Sequence, residues 1–150
     1  MDQSNQGPAG GITAHLTING NRAADAINFY SQAFGAEEIG RHMADDGKRI
    51  MHAHLKLNGG SLMLNDDFPE FGHGTAEPAG VTLHLQVPDA DAAWQRALDA
   101  GAQERFPLAD QFWGDRYGQV TDPFGFIWSI GCPVKQAQPQ GSDQSAEASA

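Results

Sequence analysis

A strand–helix–strand–strand order occurs twice along this chain, and a tandem repeat of that kind restricts the possible fold more than composition can. In the first copy, Ile12-Thr-Ala-His-Leu-Thr-Ile18 alternates apolar and polar residues, the pattern of a half-buried strand. A helix is expected over 23–34, where Ala26, Ile27, Phe29, Tyr30, Ala33 and Phe34 recur at helical spacing, with Gly35 as a left-handed cap. Arg49 to Leu57 alternates again, with Met51, Ala53, Leu55 and Leu57 apolar; Asn58-Gly59-Gly60 then turns the chain into a short strand, Ser61 to Leu64. In the second copy, Val81 to Val87 is an alternating strand and Pro88-Asp89 opens a helix that runs through Ala100 to Gly101. Strands at 116–121 and 126–131 flank the turn Asp122-Pro-Phe-Gly125.

The repeat is visible in residue identities as well. Asp25-Ala26 and Gly35-Ala36-x-Glu38 recur as Asp91-Ala92 and Gly101-Ala102-x-Glu104 at a constant offset of 66, and His15-Leu-x-Ile18 recurs as His84-Leu-x-Val87. The chain reads as an α+β domain over 11–134, made of two tandem β-α-β-β-β modules at 11–66 and 80–134. The stretch from Asp66 to Gly80, rich in Pro, Gly and acidic residues, reads as a linker in which Asp66, Asp67, Glu70 and His73 are solvated. Residues 1–10 and 135–150 carry too few large apolar side chains to offset the entropy of ordering themselves, and are expected to be disordered.

Charge and cysteine content narrow the partners. A formal charge of -10 repels nucleic acid and anionic membranes, yet leaves room for a small ligand, even an anionic one held by a local Arg or Lys. The one cysteine, Cys132, makes an internal disulfide impossible and suits a reducing compartment. Met1 to Gly10 has no signal-peptide character and no apolar run spans a membrane, so the expected location is the cytoplasm.

Side chains two apart on a strand share a face. One face of the first strand therefore carries Thr13, His15 and Thr17, and its counterpart carries Thr82, His84 and Gln86. The third strand carries His52, His54 and Lys56, matched in the second module by Tyr117 and Gln119. So polar a face is either bathed in water or lines a polar cleft. Histidines in such places are either hydrogen-bonded and partly solvated or ligands; His15, His54 and His84 would make a three-histidine cation site. The segment Gln111-Phe-Trp-Gly-Asp-Arg116 offers Phe112 and Trp113 as an apolar wall and Arg116 as a bidentate clamp for a carboxylate or phosphonate oxygen, or else is a structural loop. Trp128 either stacks on a ligand or fills the dimer core; Phe29 and Tyr30 read as core, Glu37 and Glu38 as solvated, and Cys132 as structural. Glycine-rich phosphate loops, Gly-x-Ser-x-Gly and His-Glu-x-x-His are absent.

Several of these runs resemble the vicinal oxygen chelate superfamily (glyoxalase, bleomycin-resistance protein, extradiol dioxygenase). They are Ala26-Ile-Asn-Phe-Tyr-Ser-Gln-Ala-Phe-Gly-Ala36, Met51-His-Ala-His-Leu55, Ser61-Leu-Met-Leu-Asn65, Leu83-His-Leu-Gln-Val87, Asp122-Pro-Phe-Gly125 and Trp128-Ser129. The run from Ala109 through Gln111-Phe-Trp-Gly-Asp-Arg116 to Gly118 is similar to the PhnB-like branch. The resemblance implies paired modules whose mixed sheets curl around a ligand cup, and a homodimer. It places the superfamily's metal ligands on Thr13, Met63, Thr82 and Ser129, none of which is a His, Asp or Glu, so the usual metal site is expected to be missing.

The reading that follows is a metal-free small-molecule-binding protein with a cup lined by His15, His54, His84, Gln86, Trp113 and Arg116. Whether it is an enzyme stays open. One alternative is a glyoxalase-type lyase, isomerase or dioxygenase using a divalent metal on His15, His54 and His84. Another is an antibiotic-sequestering resistance protein.

Overall fold

The computed structural model of the chain describes residues 7–72 and 77–135. The expectations for the extreme N-terminus, His73 and the C-terminal tail lie outside these residues. Eight strands and two helices follow in the order β1 (Ala14–Ile18), α1 (Ala23–Phe34), β2 (Glu37–Met43), β3 (Ile50–Leu57), β4 (Gly60–Asp66), β5 (Thr82–Gln86), α2 (Ala90–Ala100), β6 (Gln103–Asp110), β7 (Asp115–Thr121) and β8 (Ile127–Pro133). They form two four-stranded mixed sheets of identical topology, β1-β4-β3-β2 and β5-β8-β7-β6. The first strand of each runs parallel to the last, and the remaining pairs are antiparallel. This is the expected α+β fold with two β-α-β-β-β modules.

The helix ends follow their capping chemistry. The Asp89 carboxylate accepts from the Ala92 N–H at 3.1 Å, starting α2. No side chain of Arg22 caps α1; instead the buried Asp66, at the end of β4, accepts from the Ala23 N–H at 2.9 Å and from the Ile50 N–H at 2.7 Å. Asp66 therefore belongs to the strand and to the core, not to a solvated linker, because a carboxylate is needed to satisfy those orphan donors. Glu70 is likewise engaged, pairing with Arg49 at 2.6 Å. Gly35 closes α1 at φ 75°, the left-handed region.

Strands β2 and β6 have no counterpart in the alternation of the sequence. Both are largely exposed and irregular, with register shifts along β2 and β6, so neither maintains a two-residue burial period. Glu37 and Glu38 are exposed, as expected, but they open β2. Met51 is also corrected. It is half-exposed, because β3 enters the sheet on buried Ile50 and an irregularity between His42 and Met43 shifts the alternation there. The residue match at 66 holds for the two glycine caps. The buried stripes instead align at 67, Ala23, Ile27 and Tyr30 with Ala90, Trp94 and Ala97, because α1 is one residue longer than α2.

One continuous core joins the modules. Trp128 of β8 is buried against Tyr30 and Phe34 of α1 at ring-centroid distances of 5.2 and 4.5 Å. Beneath them lies Asp122, buried in the turn between β7 and β8. Its carboxylate accepts from Tyr30 Oη at 2.6 Å, Trp128 Nε1 at 2.9 Å and the backbone N–H groups of Phe124 and Phe126 at 2.8 and 3.0 Å. Burial, then the Asp122 charge, holds the Tyr30 phenol well above its usual range, so Tyr30 is a proton donor throughout the physiological range. With the helices and this core on one side of each sheet, the opposite side of each is helix-free.

Candidate functional site: the two helix-free sheet faces

On the first sheet the ladder sets His15 beside Met63, and Met63 beside His54. His15 is exposed on the edge strand. His54, at mid-sheet, is 3% exposed and meets Ser61 Oγ through Nε2 at 2.8 Å. His52 occupies the next position on this face. Its ring lies 6.0 Å from His15 and 6.3 Å from His42, its direct partner on β2. Partial burial, then the nearby His52, lowers the pKa of His15 below 6.5; burial, then His42 and His54, does the same to His52. His15 and His52 are thus biased toward the neutral form. Thr17 Oγ1 donates to Asn65 Oδ1 at 2.9 Å beside them.

On the second sheet the equivalent positions carry His84 beside Ser129, and Ser129 beside Gln119. His84 meets Ser129 Oγ through Nδ1 and Gln86 Oε1 through Nε2, both at 2.7 Å. Gln86 Oε1 only accepts, so Nε2 carries a proton, and in the neutral ring Nδ1 then accepts from the Ser129 hydroxyl. The ring stacks on Tyr117, with centroids 5.9 Å apart and planes within 19°. Gly131 makes room for that stack: a Cβ there would lie 3.1 Å from His84 Cε1 and 3.6 Å from Tyr117 Cδ1. Gln119 Nε2 donates to Tyr117 Oη at 3.0 Å, and Arg105 Nη1 donates to Gln119 Oε1. Phe106 and Trp113 set their rings against Tyr117 at 6.4 and 5.6 Å.

The structure therefore brings His84, Gln86 and Trp113 onto one face, and His15 and His54 onto the other. Arg116 joins neither. It alternates with Tyr117 and points to the helix side, where Asp91 of α2 takes its Nη2 at 2.9 Å and Asp110 takes Nη1 at 3.0 Å. Sequence reasoning missed His42, Phe106 and Arg105, all on the two strands without alternation. The recurrence of Glu38 as Glu104 was the available signal for those strands.

The residues do not fit a divalent ion within one chain. The register sets His15, not Thr13, beside Met63, and His84, not Thr82, beside Ser129. Met63 and Ser129 offer no imidazole or carboxylate, and both nitrogens of His84 are engaged. Among the described residues no three His, Cys, Asp or Glu side chains gather where one ion could sit, so His15, His54 and His84 do not form the three-histidine site. His15 lines a mainly apolar groove of about 330 Å³ with Leu83, Phe126 and Ile127, whereas His84 lines another, of about 230 Å³, with Ser61 and Trp128. No described helix is long and apolar enough to cross a membrane.

Known proteins agree with this architecture. An uncharacterized protein of Mycobacterium bovis, Mb0911c, is 50% identical over 131 residues, covering 83% of this chain and 84% of that protein. The crystal structure of the Arabidopsis thaliana gene product At5g48480 matches with a TM-score of 0.66 at 34% identity, covering 81% of this chain and 97% of the other. A PhnB protein from Bacillus cereus matches in fold with a TM-score of 0.64 at 23% identity, covering 82% and 99%. A family model matches residues 12–130. On that match and these relatives, the chain belongs to the Glyoxalase/Bleomycin resistance protein/Dioxygenase superfamily.

Proposed function

We propose that this chain is a cytoplasmic, small-molecule-binding member of the PhnB-like branch of its superfamily, and that it works as a homodimer in which the helix-free faces become walls of a ligand cup. The observation that carries the reading is the second sheet's face. It holds a fixed hydrogen-bond network, Ser129–His84–Gln86 and Arg105–Gln119–Tyr117, beside the aromatic rings of Phe106 and Trp113. A buried core does not need such a network, and a solvated face does not need half-exposed Trp113 and Phe106. The run Gln111-Phe-Trp-Gly-Asp-Arg116 supports the PhnB-like assignment.

The dimer reading rests on the edges. In each sheet the first strand is hydrogen-bonded on one side only, and exposed Ile12 and Val81 precede β1 and β5. Open edges flanked by exposed apolar residues favour coverage by another chain. Sedimentation equilibrium tests this part: a monomer at micromolar concentration overturns it.

Thermal shift against small carbonyl compounds, phosphonates and bulky cationic antibiotics tests ligand binding. A rise in Tm with one of the first two classes, lost in Tyr117→Ala, supports the reading. A rise only with the antibiotics replaces it with sequestration, and no rise with any class removes it. Metal analysis of protein purified without added metal provides a separate check: about one tightly held divalent ion per chain, lost in His15→Ala or His84→Ala, overturns the metal-free part.

A further inference from the structure

We infer that the ligand of this face is an oxyanion, a carboxylate or a phosphonate, and that Arg105 and Tyr117 recognise it. The inference rests on the proposed small-molecule function and supplies its substrate class. Among the described residues, Arg41, Arg49 and Arg116 are each paired with carboxylates. Arg22 is held by Asn19 and lies over Phe124, and Arg96 donates to carbonyl oxygens at the end of α1. Arg105 differs. Like Arg22 and Arg96 it has no carboxylate, but its side chain reaches the second sheet's face: its one partner among the described residues is the neutral amide oxygen of Gln119, so its charge is not neutralised there and its Nε and Nη2 groups keep their protons for a ligand.

The hydrogen bonds run in a fixed direction. Because Arg105 donates to Gln119 Oε1, the amide must present its NH2 to Tyr117, where Nε2 donates to the phenol oxygen. The phenol oxygen is thereby an acceptor within the chain, and its own proton has no acceptor among the described residues. Guanidinium N–H groups and a phenol O–H are therefore offered along one row of the face. Asp115 is committed to Trp113 Nε1 at 3.1 Å, and Asp110 and Asp91 hold Arg116. In a chain of net charge -10, a stretch of surface that offers donors and an unneutralised cation is a built preference for negative oxygen.

The test is calorimetric titration of the full chain with four probes of similar shape: benzoate, phenylphosphonate, benzamide and benzylammonium. The expected result is that benzoate or phenylphosphonate binds at least about tenfold more tightly than benzamide, and that salt weakens the difference. Arg105→Met, which keeps the aliphatic stem, should erase that margin without weakening benzamide, and Tyr117→Phe should reduce it several-fold. Arg105→Lys keeps the charge but loses the fork, and should retain part of it. Arg116→Gln should retain all of it. The inference is overturned if benzamide matches benzoate, if benzylammonium binds best, or if Arg105→Met keeps the margin. In those cases the face still binds a small molecule and only the oxyanion class falls; if none of the four probes binds, the oxyanion class falls and the thermal-shift panel alone decides the small-molecule reading.

Discussion

In the first module the row across the sheet reads His15, Met63, His54; in the second it reads His84, Ser129, Gln119. The backbone ladders are equivalent and the loads they carry are not. The first face crowds imidazoles together, with His52 between His15 and His42, and desolvation with the neighbouring rings disfavours the charged forms of His15 and His52. The second face replaces those neighbours with a serine hydroxyl, a glutamine amide and a phenol, each with a defined donor or acceptor role. Where the first sheet has Asn65 bonded to Thr17, the second has Gly131, and the missing side chain admits the His84–Tyr117 stack. Equivalent positions of the two modules thus carry different groups, imidazoles on one face and a directional hydrogen-bond network on the other.

The comparison can be broken most severely at the turns between the third and fourth strands. In the first module Asn58 and Gly59, both left-handed at φ 52° and 81°, make a two-residue hairpin that needs no buried polar group. In the second, the turn is organised by buried Asp122. Asp122→Ala leaves four donors without an acceptor and should cost about 4 kcal/mol in urea unfolding. Asn58→Ala should cost about 1 kcal/mol. Equal losses at the two sites would mean that Asp122 does not join the modules.

Next in size is Gly118→Ala. A Cβ there would lie 2.7 Å from Leu108 Cα and 2.8 Å from Trp94 Cζ3, so β6 and α2 must both move; the expected loss is about 3 kcal/mol. The first module carries buried Ala53 at the matching position, and Ala53→Gly should cost about 1 kcal/mol. Denaturant midpoints of the two variants would show whether the asymmetry is real.

Gly131→Ala is milder. Its Cβ sits 3.1 Å from His84 Cε1 and from the Arg116 carbonyl oxygen, so the stack must yield by a few tenths of an ångström. Stability should fall by about 1 kcal/mol, and the His84 and Tyr117 ring resonances should shift in NMR spectra. Unmoved resonances would mean that the stack does not depend on the glycine.

The smallest effect is in the pH response of the first face. His15 and His52 titrate below 6.5 when folded and near 6.5 when unfolded. As pH falls through 6.5 the unfolded chain takes up protons first, so stability declines until the folded values are reached and then levels off. NMR titration should place both rings below 6.5, and His52→Gln should move His15 upward. An unchanged His15 in that variant would show that desolvation alone lowers it.

Much of the fold was legible because burial imposes a period. Residues 14–18 and 82–86 alternate between core and open face, the helices show apolar stripes, and Gly35 and Gly101 end them. The strands β2 and β6 were not legible because they are exposed and bulged, and nothing forces alternation on an edge that faces water. For the same reason His42, Phe106 and Arg105 went unnoticed. Arg116 shows where chemistry alone stops: its guanidinium suits an anion, but which side of β7 it takes depends on register, and the helix side already holds Asp91.

By itself the sequence determined the duplication, the strand and helix types, and the pairing of His15 with His84 as equivalent positions, because these follow from local periodicity and residue identity. Tertiary structure decided which arginines meet a carboxylate and which imidazoles keep company. Those depend on contacts between residues distant in the chain, such as Arg105 with Gln119 and Arg116 with Asp91, and a two-residue period assigns a side chain to a face without naming the neighbour it will meet there.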